Sequence, residues 1–435
     1  MDKNTIIGFV LIAALLIGFS WYTQPSEEDI AKQRMQDSIT ALAKKKAEES
    51  RNAEAQASNQ NAQNNVNADT TAVFYKSLSG KAQNIILKNS KLELTLSTKG
   101  GTVEKAVIKD FKDNKGNKDL TLFDSKDQSL KFMLEGKETN IITSDLYFTP
   151  SNITDSTVTM TAVGSNGRSL VMNYKLGKNY LLHFSLKANG MSGLFSPNYN
   201  KLDIEWTDHC RQQEKGFTFE NRYASLTYHF TDGGTDYISE TSEKVDEKIE
   251  DAIDWVAFKN QFFSAVMIAK DDLGTNSLMT SIPQEKGSGY LKQYGAKVKT
   301  SFDPTGNNST ELEFYYGPND FRLLQKIEKE STFNKDLELH RLVYLGWPLF
   351  RIINRWFTLY VFDWLTGLNI NMGIVLILIT LLLKVITYPL VKKSYMSSAK
   401  MRVLKPKLEE ATKQYNKPED QMQKQQAMMA LYAKY

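Results

Sequence analysis

Cysteine is almost absent. Cys210 stands alone in 435 residues, so no internal disulfide closes and no multi-cysteine metal site assembles. Histidine is scarce too: His183, His209, His229 and His340 are scattered without regular spacing. No phosphate-cradling glycine loop, metal-ligand cluster or nucleophile motif is present. Asp208-His209-Cys210 resembles a site only on paper, because neighbours on a strand point to opposite faces. These absences leave no candidate catalytic, cofactor-binding or metal-binding residue, and the chain reads as non-enzymatic. Long apolar runs are also few. Mean hydropathy is low, so only short parts of the chain lie in lipid.

The run Met372–Val391, MGIVLILITLLLKVITYPLV, has spanning length and one interrupting charge, Lys384. A charge inside the hydrocarbon core costs roughly 2.5–3.5 kcal/mol on insertion scales, so such residues are usually functional. Two readings of Lys384 stand side by side. It lines a polar cavity in a helix bundle, or its stem snorkels about 10 Å to the headgroups. Lys392, Lys393, Lys400, Arg402, Lys405 and Lys407 follow with no acid before Glu409, and they pin this end to the cytoplasm. A basic run beside a span orients the helix and meets anionic lipid, so nucleic acid is not the expected substrate.

The other run is Thr5–Tyr22, flanked by Lys3 and by Glu27, Glu28 and Asp29. A cleaved signal peptide and a retained anchor both fit it; Trp21 and Tyr22 suit an interfacial belt and favour the anchor, with its N-terminus inside. Residues 25–370 then lie outside and the basic tail inside.

Between these runs the pattern is β. Residues 51–72 hold almost no large apolar side chains and read as a tether. Leu92, Leu94 and Leu96 alternate with Glu93 and Thr95. Strands are expected again at Val103–Ile108, Leu130–Leu134, Thr157–Ala162, Leu170–Leu176, Leu181–Leu186, Ala265–Ile268 and Glu311–Tyr316. Turn-formers at Asp113–Asn117, Gly164–Gly167 and Asp232–Gly234 separate them, as in a large antiparallel sandwich. Asn319–Thr332 reads as one helix.

Trp347–Trp364 places Arg351 and Arg355 on one helical face, with Ile352, Ile353, Trp356 and Tyr360 opposite. Such a helix lies in the membrane interface or packs under the β domain. After the span, Met401, Leu404, Leu408, Ala411 and Tyr415 form a heptad seam. Asn416-Lys417-Pro418 breaks it before a weaker seam of Met422, Gln425, Met429 and Tyr432. An antiparallel hairpin or two independent helices fit, and Pro406 is expected to kink or restart the first arm.

The expected organisation is an N-terminal anchor (1–24), a flexible linker (25–73), a periplasmic β-sandwich (74–335), an interfacial helical region (336–370), a second transmembrane helix (371–391) and a cytoplasmic helical hairpin (392–435).

Four stretches carry a resemblance to a known family. They are Asn89–Phe111 with its paired glycines, Asp254–Ala269 (DWVAFKNQFFSAVMIA), Tyr315–Asn319 (YYGPN) and Leu376–Leu408. The last includes Tyr388-Pro389-Leu390, the Ala399–Met401 triplet and the Leu404/Pro406 spacing. Together they are similar to the YidC membrane protein insertases of the Oxa group. The resemblance implies a multi-pass protein of the bacterial inner membrane, with a large periplasmic β-sandwich and a polar groove open to cytoplasm and lipid. It implies insertion and chaperoning of nascent membrane proteins, alone or with the Sec translocon, with the ribosome and membrane lipids as further partners and no cofactor. On that resemblance Lys384 supplies the groove charge where Gram-negative members usually carry arginine. The charge is kept but the planar fork of donors is not. The hairpin is expected to be incomplete, and a partial sequence lacking later spans should not insert substrates alone. The residues by themselves leave one rival: a membrane-anchored sandwich that binds glycans or peptides.

Overall fold

The computed structural model describes residues 73–412, apart from Lys115, Asn117, residues 239–243 and Trp347, together with Met422, Gln425, Gln426, Met428, Met429 and Ala430. The expected N-terminal anchor and linker, the hairpin turn and most of its second arm fall outside the described residues. By contacts the chain divides into two units. One is a β unit that ends at Pro318 and takes back Ser331–Leu337. The other is helical, made of Asn319–Glu330 and the chain from Glu338.

The β unit is a large antiparallel sandwich. Its nine-stranded sheet runs β13 (Thr235–Tyr237), β12 (Ser225–Phe230), β15 (Ile253–Lys259), β16 (Phe263–Ala269), β19 (Thr310–Pro318), β10 (Leu181–Asn189), β9 (Ser169–Leu176), β8 (Thr157–Val163), β7 (Thr149–Ser151). The six-stranded sheet runs β14 (Val245–Ile249), β17 (Ser277–Pro283), β18 (Tyr290–Ser301), β11 (Lys201–Arg211), β5 (Gln128–Leu134), β6 (Ile141–Ile142). A third sheet joins β1 (Asn84–Lys88), β2 (Leu92–Ser97), β3 (Val103–Lys112) and β4 (Asp119–Phe123). A short helix, α1 (Phe217–Tyr223), sits between β11 and β12.

Period-two alternation builds the core. Along β11 the even-numbered residues from Leu202 to Cys210 are buried and the odd-numbered ones are not. Asp208 and Cys210 therefore point inward while His209 does not, which parts that triplet. Aromatic side chains interlock between the two large sheets. Trp206 stacks on Phe258 with centroids 4.0 Å apart, and Phe132 stacks on Phe184 at 5.2 Å. Aromatic pairs of this kind add about 0.5–1.5 kcal/mol beyond the area they bury. The paired glycines turn β2 into β3. Gly101 has φ +72°, and a Cβ there would lie 2.7 Å from the Met172 sulfur, so glycine answers both conformation and space.

The expected strands all form, most of them longer than expected, and the expected helix at Asn319–Thr332 is α2 (Phe321–Glu330). Asp320 caps it: its carboxylate accepts from the Leu323 N–H at 2.6 Å. Strands β15 and β16 are buried on both faces, so they show no alternation. Part of their cover is the segment Ser331–Leu337, hereafter the strap. The Trp255 indole donates to the Leu337 carbonyl at 2.7 Å, and Lys335 Nζ lies 2.6 Å from the buried Asp254.

In the helical unit, α3 (Pro348–Ile353) passes into a π-helical turn, Asn354–Thr358, and on into α4 (Leu359–Thr366). The wide turn shifts the later residues around the axis. A wheel drawn at 3.6 residues per turn therefore misplaces Tyr360 relative to Ile352. Arg322 on α2 binds Asp363 on α4 at 2.9 Å and lies 4.9 Å from the Tyr360 ring centroid.

One correction concerns the last element. A single helix, α5, runs from Met372 to Thr412, straight across residue 391 and through Pro389 and Pro406. Pro406 does not restart it. Each proline removes one N–H from the ladder, yet the turns on either side keep the helix whole.

Candidate functional site

Helix α5 is the only one among the described residues long and apolar enough to cross a membrane. Its 41 residues make a rod roughly 60 Å long at 1.5 Å per residue. A hydrocarbon core is about 30 Å thick, so about half the rod must emerge from it. The six basic residues Lys392, Lys393, Lys400, Arg402, Lys405 and Lys407 all lie on the emergent half and all are exposed. They are distributed around the axis, forming a collar rather than a stripe.

The apolar half has two distinct faces. Val375 is fully buried, and Ile379 and Leu383, at successive four-residue steps, are half-buried. These three define the covered face. Lys384 lies on the other side, exposed. At 100° per residue, Thr380, Lys384, Thr387 and Tyr388 share an arc of about 100°. The Thr380 hydroxyl donates to the Leu376 carbonyl at 2.8 Å and the Thr387 hydroxyl to the Leu383 carbonyl at 2.7 Å. Each threonine thus satisfies its own donor on the helix while its oxygen stays on the surface as an acceptor. The result is a polar seam around one cation on an otherwise aliphatic span, with Lys384 and Tyr388 opposite the covered face and the two threonines on its flank. The sequence reading isolated Lys384, took Tyr388 only as part of the family motif and missed Thr380 and Thr387, although spacings of three and four residues from Lys384 were there to be counted.

Further along the rod, Leu404 and Thr412 are buried and Leu408 is half-buried, while Met401 is exposed. The covered stripe thus steps 404, 408, 412, a run of fours where the heptad seam has alternating threes and fours. From α3 through the π-helical turn to α4, Arg351, Ile352, Arg355, Trp356, Tyr360 and Trp364 are all exposed. The Arg355 guanidinium lies 6.0 Å from the Trp356 ring centroid.

Residues 84–360 match the model of the YidC periplasmic domain, and residues 364–435 match that of the 60Kd inner membrane protein family. A protein named membrane protein insertase YidC from Phocaeicola vulgatus is 50% identical over an alignment of 437 residues, taking in 100% of this chain and 69% of its own length. The protein of the same name from Bacteroides fragilis is 44% identical over 438 residues, with 100% of this chain and 70% of its own length covered. The crystal structure of YidC from Thermotoga maritima aligns with 77% of this chain and 79% of its own, at 13% identity and a TM-score of 0.31.

Proposed function

The chain belongs to the YidC family of membrane protein insertases, inner-membrane proteins with a periplasmic domain, and on that premise we propose that the polar seam around Lys384 receives the substrate. A nascent apolar segment would enter beside α5, with its polar or acidic flank drawn toward the Lys384 ammonium. Moving such a flank through bare hydrocarbon is expensive. A cation with hydroxyl oxygens on either side replaces part of the lost hydration, and it does so only along one face. The observation that carries this reading is the position of Lys384 and Tyr388 opposite the covered face of the span.

The basic collar supports a cytoplasmic emergent half of α5, where it would meet anionic headgroups and the anionic surface of a ribosome. The β-sandwich then lies in the periplasm and the N-terminus in the cytoplasm. The exposed Trp and Arg side chains of α3 and α4 suit the headgroup layer. Chaperoning of inserted segments and cooperation with the Sec translocon follow from the family and belong to the same proposal.

Site-specific photocrosslinking tests it. A photoreactive residue replacing Thr380 or Tyr388 should capture a stalled nascent membrane protein, and one replacing Ile386, at similar depth on the covered side, should not. Equal capture from Ile386 would refute a seam-facing substrate.

A further inference from the structure

The outer face of the nine-stranded sheet carries an open groove of about 390 Å³. Strand register aligns two rows of side chains across β8, β9, β10 and β19. One row is Thr157, Lys175, His183 and Glu313; the other is Thr159, Asn173, Ser185 and Glu311. With strands about 4.8 Å apart, each row is about 14 Å long. Polar residues on a solvated sheet face are ordinary. Two features here go beyond that.

The first is prior ordering. Thr159 donates to the Asn173 amide oxygen at 2.9 Å, and the Asn173 amide donates to Ser185 at 3.3 Å. His183 is held through Nδ1 by Glu313 at 2.9 Å. The side-chain polar groups are therefore fixed in direction, and the second Asn173 N–H, the far nitrogen of His183 and the Lys175 ammonium remain for a ligand. The second feature is a wall. Glu313 also accepts from the Ser331 hydroxyl at 2.7 Å and from the Thr332 N–H at 2.9 Å. Those bonds hold the strap so that Thr332 and the half-buried Phe333 line the groove.

Charge decides the ligand class. Lys175 and Lys270 balance Glu311 and Glu313, and Lys270 pairs with Glu311 at 3.0 Å. A balanced groove offers no attraction to a polyanion. Its polar floor offers little to an apolar peptide, and the four strands are already paired on both sides, so a peptide cannot add as a strand. A neutral polyhydroxylated molecule fits: its hydroxyls exchange water for fixed donors and acceptors, and a C–H face can rest on Phe333. We propose that this groove binds a neutral oligosaccharide.

The test is saturation-transfer NMR on the detergent-solubilised 435-residue protein, with maltotriose, cellotriose and chitotriose as probes and a heparin tetrasaccharide as the anionic control. At least one neutral trisaccharide should bind, with a dissociation constant of about 1 mM. The exposed double variant Asn173→Ala, Lys175→Ala should weaken it by about tenfold or more. Its melting temperature, measured alongside, should match the parent's. A Phe333→Ala variant, which touches no hydrogen bond of the floor, should weaken binding as well. No transfer to any neutral probe, stronger transfer to the heparin control, or transfer unchanged in both variants would overturn the proposal.

Discussion

Replacing Glu313 with glutamine should loosen the strap while leaving the rest of the sandwich in place. Glu313 is wholly buried on β19 and accepts from His183, the Ser331 hydroxyl, and both the N–H and hydroxyl of Thr332, at 2.7–2.9 Å. One oxygen takes three of these bonds and the other takes Ser331, so a glutamine can set its carbonyl toward the three donors and let the Ser331 hydroxyl rotate to accept. What it loses is charge. Bonds to an ionised acceptor are worth about 1.5–3 kcal/mol against about 1 for a neutral pair, so Glu313→Gln should cost about 1–3 kcal/mol. Glu313→Ala, which strands four donors, should cost about 3–5 kcal/mol.

The pH dependence separates this account from simple misfit. Burial pushes the Glu313 carboxyl up, but the bonds from His183, Ser331 and Thr332 outweigh it and hold it below its ordinary value of 4.5. A depressed folded-state value means stability that is present above that pH and lost as pH falls through the folded value. The gap between parent and Glu313→Gln should therefore be full at pH 7 and narrow below about pH 4. Urea unfolding across that range measures it, and hydrogen exchange should accelerate in Ser331–Leu337 but not in β2. A gap that stays constant from pH 7 to pH 3, or unchanged exchange in the strap, would refute the reasoning.

Asp208 should behave in the opposite sense. Burial, then the nearby Asp127, pushes its carboxyl well above the ordinary range against the pull of Arg211, and one of its oxygens has no hydrogen-bond partner. A raised value favours folding only while the unfolded group is still protonated, so stability falls as pH rises above about 3.9. Asp208→Asn should add about 1–3 kcal/mol at pH 7, and the gain should vanish near pH 4 in the same urea titration. Orientation is checked with single cysteines at Ser151 and Ser398 in a Cys210→Ser background. An impermeant thiol reagent should reach Ser151→Cys and not Ser398→Cys, and the reverse pattern would invert the assigned topology.

What the sequence revealed depended on how many faces each element buries. Strands β2, β9 and β10 each bury one face and announce themselves by alternation. β11 also alternates cleanly, yet the polar Asp208 occupies an inward position and breaks the hydrophobic pattern. β15 and β16 bury both faces and have no period to read. The short strands β6, β7 and β13 exist through pairing with longer neighbours and carry no pattern of their own. The strap could not be foreseen, because its bonds join residues 18 to 82 positions apart. Helix α5 was legible as an apolar run, but its continuity through Pro389 and Pro406 was not: local propensity argues for a break that the surrounding turns override. Lys384 stood out as the sole charge in its run. The hydroxyls flanking it drew no notice because threonine is unremarked in a helix that satisfies its donors internally.

The central claim is that the Lys384 charge works on substrates and does not merely rest in the headgroups. The most direct measurement places Lys384→Ala and Lys384→Arg at the chromosomal locus and follows protease protection of a newly made, acidic-flanked membrane protein in inner-membrane vesicles. With Lys384→Arg, protection should match the parent. With Lys384→Ala it should fall for acidic-flanked substrates and change less for substrates with neutral flanks. Removing a charge that only snorkels makes the span more apolar and leaves insertion intact. Equal protection by the parent and Lys384→Ala would therefore contradict the account.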